Sequence, residues 1–343
     1  MTNPSLQEEP AAPGAVAKMT AIVQSGYGTD PEDVFRLEEI ARPTIRDDEI
    51  LVQVRAAGLD RGTWHSMTGQ PYLMRIMGFG FQGPKNPVPG LDVAGVVAAI
   101  GAEVTRFQPG DEVFGIARGS FAEYAAARED KLAAKPANLS FEQAAVVPIS
   151  GLTALQALRD AGRVEEGQKV LIVGASGGVG SYAVQLAKAF GAQVTGVCST
   201  AKVDLVRSLG ADDVIDYTRA DFADGSRRYD LVVDIGGNSR LSRLRRALTP
   251  TGTLVIVGGE EGGKLTGGFG RTLRAPLLSL VVRQRLTMVI NKEHHSYLDE
   301  LRPLLAAGQV TPAVDITYPL AEAAAAMGRL EAGHARGKIA ITT

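Results

Sequence analysis

The sequence predicts a mixed α/β fold, with a compact all-β unit ahead of a doubly wound parallel sheet. Three observations carry that prediction. Short β-like runs separated by Gly and Pro continue to about Lys135. From Lys169 onward strand-period and helix-period segments alternate, the rhythm of parallel strands joined by crossover helices. A glycine-rich turn, Gly174–Gly180, links the first of those strands to the first of those helices.

The elements follow in order. Met1–Lys18 is rich in Pro, Ala and Glu, lacks the basic start and apolar stretch of a secretory signal, and is expected to be a disordered leader. Met19–Val23, the alternating Ile50–Val54 and Gly95–Ile100 read as strands, and Pro109-Gly110 turns the chain into Asp111–Gly115. Ser140 with Gln143 three residues on is a capping box that opens a helix over Ser140–Ala145. Gly151–Ala161 is a second helical stretch.

Lys169–Val173 is a buried strand, and Gly180–Phe190 a helix with Val184, Leu186 and Ala187 on its apolar side. Gln193–Val197 is the next strand. Ala201–Leu209 (helix), Asp213–Ile215 (strand), Tyr229–Ile235 (strand), Ser239–Leu248 (helix) and Gly252–Val257 (strand) extend the alternation. Leu286–Ile290 can supply a last strand. Tyr297–Ala307 and Leu320–Ala332 read as helices, and Lys338–Thr342 as a strand that returns to the first unit. Between Gly258 and Arg285, the cations Lys264, Arg271, Arg274, Arg283 and Arg285 surround an apolar Leu277–Val282. A loop with a core-facing helix is the expectation there. A membrane-surface helix and a dimer contact are the alternatives, the run being too short to span.

Bulk properties narrow the classes. At 343 residues the chain suits two domains. Its formal net charge of -2 gives no global field toward nucleic acid or an anionic membrane. Cys198 is the only cysteine, so neither an internal disulfide nor a multi-cysteine zinc site can form, and a reducing, cytoplasmic setting is expected.

The turn reads Ala175-Ser176-Gly177-Gly178-Val179-Gly180, close to G-x-G-x-x-G, with alanine at the first position. A strand before it and a helix after it distinguish it from an ordinary glycine-rich turn. A helix opening at Gly178–Gly180 aims unpaired N–H groups and a positive dipole end at the turn, where a dinucleotide pyrophosphate fits. An NAD site places a carboxylate at the end of the second strand for the ribose hydroxyls. That strand ends Val197-Cys198-Ser199-Thr200-Ala201-Lys202, without an acid, and Asp204 falls on the following helix. Ser199 and Thr200 can donate to a 2′-phosphate and Lys202 can neutralise it, which favours NADP(H). A solvated helix lysine is the other reading of Lys202.

Four stretches together resemble the medium-chain dehydrogenase/reductase superfamily, on its zinc-free quinone oxidoreductase and enoyl reductase side. They are Ala56–Asp60, Pro87–Gly95, Gly110–Gly115, and Gly151–Ala154 followed by the glycine turn. The resemblance runs from about Met19 to the end. It implies a GroES-like β-barrel catalytic domain over 19–145 and 297–343, a Rossmann domain over 146–296, and a cleft between them. Zinc-dependent members carry cysteine where Asp60 stands and histidine where Leu91 stands, so no zinc site of that kind is expected. Asp60, His65 and Asp92 form a conceivable hard-metal trio, but structural hydrogen bonds are the simpler role for Asp92. Near the nicotinamide, an ionised Asp60 would favour the oxidised ring, and a protonated one could donate a hydrogen bond. The resemblance also implies that Ser199, Lys202 and Tyr217 clamp the 2′-phosphate and that Thr153 lies beside the nicotinamide. It further implies that Gly258, Val289 and Asn291 line the same cofactor site.

Without a metal, reduction of an activated C=C bond or a quinone is the chemistry that needs least polarisation of the acceptor. The resemblance points to Tyr72 as a proton donor, one residue off the usual spacing, with water or a loop-packing tyrosine as alternatives. Leu73–Asn86 carries Met74, Ile76, Met77, Phe79 and Phe81 among glycines. It reads as a lid over a small apolar substrate or as a dimer contact, with Trp64 and His65 as a wall. The expected function is NADPH-dependent reduction of an enone or quinone by a homodimer that neither spans a membrane nor binds nucleic acid. A zinc-free ketone or alcohol dehydrogenase and a non-catalytic NADPH-binding scaffold or sensor are the alternatives.

Overall fold

A computed structural model describes residues 17–76, 80–237, 239–258, 263, 265 and 267–343. The leader to residue 16, together with Met77, Phe79 and Lys264, lies outside the described residues.

The first part runs β1 (Lys18–Gln24), α1 (Pro31–Val34), β2 (Phe35–Ala41), β3 (Glu49–Leu59), α2 (Arg61–Thr68), β4 (Asp92–Ile100), β5 (Glu112–Ile116), β6 (Tyr124–Arg128), β7 (Leu132–Ala134), α3 (Phe141–Ala145) and α4 (Pro148–Leu155). The alternating part runs β8 (Lys169–Val173), α5 (Gly178–Ala189), β9 (Gln193–Cys198), α6 (Val203–Ser208), β10 (Asp213–Asp216), β11 (Tyr229–Asp234), α7 (Leu241–Arg246), β12 (Leu248–Ile256), α8 (Phe269–Ser279) and β13 (Arg285–Met288). The chain closes with α9 (His295–Ala306), β14 (Val314–Pro319), α10 (Ala323–Glu331) and β15 (Lys338–Thr342).

β8–β13 form a six-stranded sheet in the order β10-β9-β8-β11-β12-β13, and its pairs are parallel. This is the doubly wound order, with the switch point between β8 and β11. Both faces are covered, as the apolar runs require. Val170 and Ile172 of β8 point into one core with Leu231 and Val233 of β11, while Leu171, Val173 and Val232 point into the other.

β3–β7 form a seven-stranded sheet with β14 and β15, and β1 and β2 pair as a separate two-stranded sheet. β15 pairs antiparallel with β3, Ile339 opposite Leu59, so the last strand joins the first part of the chain.

The sheet ladders shift several helix boundaries. Ser239–Leu248, expected as one helix, is helical only over Leu241–Arg246, because Leu248 is already paired with Tyr229 of β11. The stretch expected at Gly151–Ala161 begins at Pro148 and widens to a π-helix over Gln156–Gly162. No residue type there signals that widening; the side chain of Gln156 has its partners far along the chain.

The capping box forms as expected. Ser140 Oγ accepts from Gln143 N at 3.2 Å, and Ser140 N donates to Gln143 Oε1 at 3.0 Å. Ser140→Ala should therefore lower stability by about 1 kcal/mol, read as a shift in urea midpoint with an unchanged slope.

Candidate functional site

The glycine turn sits where β8 ends, at the switch point. Gly174 has φ +89°, which favours glycine, and a Cβ there would lie 2.8 Å from Gly236 N. A Cβ on Gly180 would overlap the Gly174 carbonyl, so glycine lets the start of α5 lie against the strand end. Gly177 is different: only the Gly174 carbonyl, at 3.5 Å, lies within 4 Å of its Cβ position. The turn thus has packed glycines at its base and an open one at its lip. With the N-terminus of α5 beside it, this cradle fits a pyrophosphate. Ala175 and Ser176 are buried, and Val179 packs against the core.

The turn is also tied to the end of the chain. Gly337 N donates to Ser176 O at 3.1 Å. A Cβ on Gly178 would lie 3.0 Å from Lys338 Cδ and 3.3 Å from Ser150 Oγ. Lys338 Nζ reaches Asp92 Oδ2 at 3.3 Å, and Asp92 Oδ1 accepts from Ile149 N at 2.8 Å. Asp92 is fully buried and Lys338 nearly so. Burial pushes the Asp92 carboxyl up to about 7, the Lys338 charge pulling it down and the Asp60 charge adding to the rise.

Thr153, Asn291 and Gln156 form a second group. Asn291 Nδ2 donates to Thr153 Oγ1 at 3.3 Å, and Thr153 Oγ1 donates to Ile149 O at 2.6 Å. The buried Gln156 donates to Asn291 Oδ1 at 2.9 Å and to Lys292 O at 3.0 Å, and accepts from Lys292 N at 2.8 Å. Gln156 had no distinguishing signal in the sequence, because its partners lie more than a hundred residues away. Val289 N donates to Ile256 O at 3.0 Å, continuing the β12–β13 ladder toward Asn291. Arg271 of α8 was legible only as one of several cations. Its guanidinium bonds Asp234 Oδ2 at 2.6 Å, Ser239 O at 2.8 Å and Gly258 O at 2.6 Å, so it fixes the loop after β12 that contains Gly258.

At the ends of β9 and β10 stand Ser199, Lys202 and Tyr217. Tyr217 is exposed, and its N–H donates to Cys198 O at 3.1 Å. Lys202 is not a freely solvated side chain. Its Nζ donates to Ala335 O at 2.7 Å and to Gly333 O at 3.0 Å, and burial lowers its pKa. β9 ends without an acid, but β10 brings one alongside: Asp216 accepts from Thr200 Oγ1 at 2.5 Å. Hydrogen bonds from Thr200, then Thr218, hold that carboxyl below the usual range.

On the other side of the turn, Asp60 caps α2, with Oδ1 accepting from Thr63 N at 2.9 Å. Its Oδ2 is buried with no hydrogen-bond partner among the described residues. His65 Nδ1 faces Gln70 O at 2.7 Å. A carbonyl only accepts, so Nδ1 carries the proton in this contact. Among the described residues, no three His, Cys, Asp or Glu side chains are grouped to hold a metal. Asp92 and the Nδ1 of His65 are committed to the partners just named.

Tyr72 is 38 % exposed, with Arg75 stacked 4.7 Å from its ring centre. It stands on a loop bonded to the alternating half through Leu73 N and Leu265 O at 3.0 Å. Ile76 and Phe81 of that loop are exposed.

A glycine cradle at the switch point of a doubly wound sheet, beside an antiparallel unit, is the arrangement of a dinucleotide-binding protein. Residues 46–137 match the alcohol dehydrogenase GroES-like domain, and residues 209–341 match a domain described as zinc-binding dehydrogenase. The chain belongs to the medium-chain dehydrogenase/reductase superfamily.

It is 34 % identical to 2-methylene-furan-3-one reductase of Solanum lycopersicum, over 95 % of this chain and 79 % of that one. It is 35 % identical to the chloroplastic NADPH-dependent alkenal/one oxidoreductase of Arabidopsis thaliana, over 94 % and 79 %. The structure of the quinone oxidoreductase from Coxiella burnetii superposes with a TM-score of 0.83 at 30 % identity, covering 95 % of this chain and all of that one. The zinc in the second domain's description does not fit the residues present, since Leu91 offers no donor atom and Cys198 is the only cysteine.

The raised pKa of Asp92 has a sign. Between the ordinary carboxylate range and about 7, the folded chain binds a proton that the unfolded chain has lost. The contribution of Asp92 to stability is therefore present below that range and is lost as the pH rises to about 7. In urea unfolding from about pH 5 to about pH 8, Asp92→Asn should gain stability relative to the wild type as the pH rises, whatever its constant offset. A pH-independent difference would contradict the raised carboxyl.

Proposed function

We propose that the chain is an NADPH-dependent oxidoreductase that reduces an activated C=C bond, as in an enone, or a quinone, without a metal. The observation that carries this reading is the glycine cradle at the switch point together with Leu91 at the position where the resemblance puts a metal ligand in zinc-dependent members. The named activities of the similar proteins, alkenal/one and quinone reduction, support it.

Bound in the cradle, the nicotinamide would supply hydride to the electron-poor carbon of the acceptor. The rest falls to this chain's own residues. Gly177 and the N-terminus of α5 would hold the pyrophosphate, and Ser199, Lys202 and Tyr217 the 2′-phosphate. Thr153, with Asn291 held by Gln156, would orient the amide-bearing ring, and Val289 and Gly258 would line its pocket. Charge developing on the acceptor oxygen needs a hydrogen-bond donor, and Tyr72 is the candidate. Asp60, with a buried free oxygen, would bias the ring electrostatically. The apolar side chains of Leu73–Asn86 suit a small apolar acceptor.

The test is a panel of enone, quinone and simple ketone, with NADPH and with NADH, followed at the nicotinamide absorbance. Turnover of the ketone alone would make the chain a ketone or alcohol dehydrogenase. Tight NADPH binding without oxidation by any acceptor would make it a scaffold. Lys202→Ala should raise the KM for NADPH about tenfold or more and that for NADH less than about twofold, as expected for a lost charge-assisted contact. Equal effects would remove Lys202 from the phosphate site. Tyr72→Phe should lower kcat about tenfold with KM little changed, the size of effect typical of a lost proton donor. An unchanged kcat would reduce Tyr72 to packing.

A further inference from the structure

The net charge conceals a basic block. Residues 235–292 contain ten Lys and Arg against two Glu, in a chain whose formal net charge is -2, so the remainder is acidic. The fold gathers part of this block around an apolar tip. α8 buries Ala275 and packs Leu278 against the same core, but Leu277 on its outer side is 66 % exposed, and Leu280 and Val281, just past the end of the helix at Ser279, are 82 % and 80 % exposed.

The tip is anchored rather than loose. Ser279 Oγ accepts from Leu286 N at 3.0 Å and donates to Gln284 O, and Gln284 Nε2 donates to Arg245 O and Thr249 O at 3.0 and 3.2 Å. Those bonds place the end of α7, with Arg245 and the exposed Arg246, beside Leu280–Arg283. Arg285 bonds the Ala161 carbonyl, and Arg163 lies close enough for burial first, and the Arg163 charge second, to lower the pKa of Arg285. Neither Arg274 nor Arg283 pairs with a carboxylate among the described residues, and both are exposed.

We propose that this corner, Leu277, Leu280 and Val281 ringed by Arg246, Arg274 and Arg283, docks on an anionic lipid bilayer. Exposed leucines and valine inside a ring of exposed arginines match both layers of a bilayer surface: the acyl boundary takes the tip, and the phosphates take the guanidinium groups. An apolar contact with another protein surface needs no such ring. A polyanion such as nucleic acid needs no apolar tip. Peripheral docking is consistent with the helices, since among the described residues none is long and apolar enough to cross a membrane.

Vesicle flotation of the full chain tests this. The probes are phosphatidylcholine vesicles with and without about 30 % phosphatidylglycerol, at low salt and at about 1 M salt, where the Debye length falls to roughly 3 Å. The chain should float with the anionic vesicles at low salt. The bound fraction should fall about fivefold or more on neutral vesicles, at high salt, in Arg274→Glu/Arg283→Glu and in Leu280→Asp/Val281→Asp. Circular dichroism and melting temperature show that the variants fold.

Three outcomes would overturn the proposal. The first is no flotation of the wild type. The second is flotation that Leu280→Asp/Val281→Asp leaves intact, which is polyanion binding alone. The third is a dimer on sizing that this variant splits while vesicle binding stays absent, which assigns the corner to a second copy paired along the free edge of β13. A variant too unstable to fold is replaced by Leu280→Ser, for which about a twofold loss of flotation is expected and an unchanged bound fraction counts against the proposal.

Discussion

The buried ion pair between Lys338 and Asp92 is the interaction on which the rest of the site depends. It joins the last strand to β4, and through Ile149 N it also holds the start of α4. Breaking a buried pair by removing one partner typically costs about 3–5 kcal/mol, because the remaining charge is left without compensation. A slip of β15 along β3 would turn its buried apolar side chains to the wrong face, and it would also break this pair and its directional hydrogen bond. Its position fixes Gly337 against Ser176, and so the cofactor turn is shaped partly by the last residues of the chain.

From that seam the two sides of the site differ in character. On the side proposed for the cofactor, Lys202, Gln156 and Asn291 are each held by a bond to a distant part of the chain. On the side proposed for the substrate, one buried carboxylate oxygen, on Asp60, has no hydrogen-bond partner among the described residues. Arg271 belongs to neither wall, yet it braces both strand ends that frame the cofactor by bonding Asp234, Ser239 and Gly258 together. Burial raises the Asp234 carboxyl while Arg271 opposes that rise.

Local features were legible because each depends on neighbours in sequence. The glycine turn, the capping box at Ser140 and the closing strand at Lys338 all show themselves within a few residues. Periodicity also placed β8 and β9 and one face of α5. The Lys338–Asp92 pair and the Gln156 clamp on Asn291 were not legible, because their partners meet only after the sheets assemble. Composition described Lys202 as either a phosphate ligand or a solvated side chain, whereas the fold turns it onto the Gly333 and Ala335 carbonyls. The helix α8 was expected to face the core, and Ala275 does. Leu280, just past the end of α8 at Ser279, is exposed instead, which hydrophobicity alone cannot distinguish from burial.

The two carbonyl bonds of Lys202 bear on how cofactor preference could change in this lineage. An ammonium group has three N–H donors, and here two of them hold the segment 333–335. Replacing Lys202 would therefore release a connection between the six-stranded sheet and the segment 333–335, whatever it did to the nucleotide. Under the proposed function, a segment grafted at Ser199–Lys202 would have to bring a partner for those carbonyls, and drift at 333–335 would reach Lys202 from outside the proposed phosphate site.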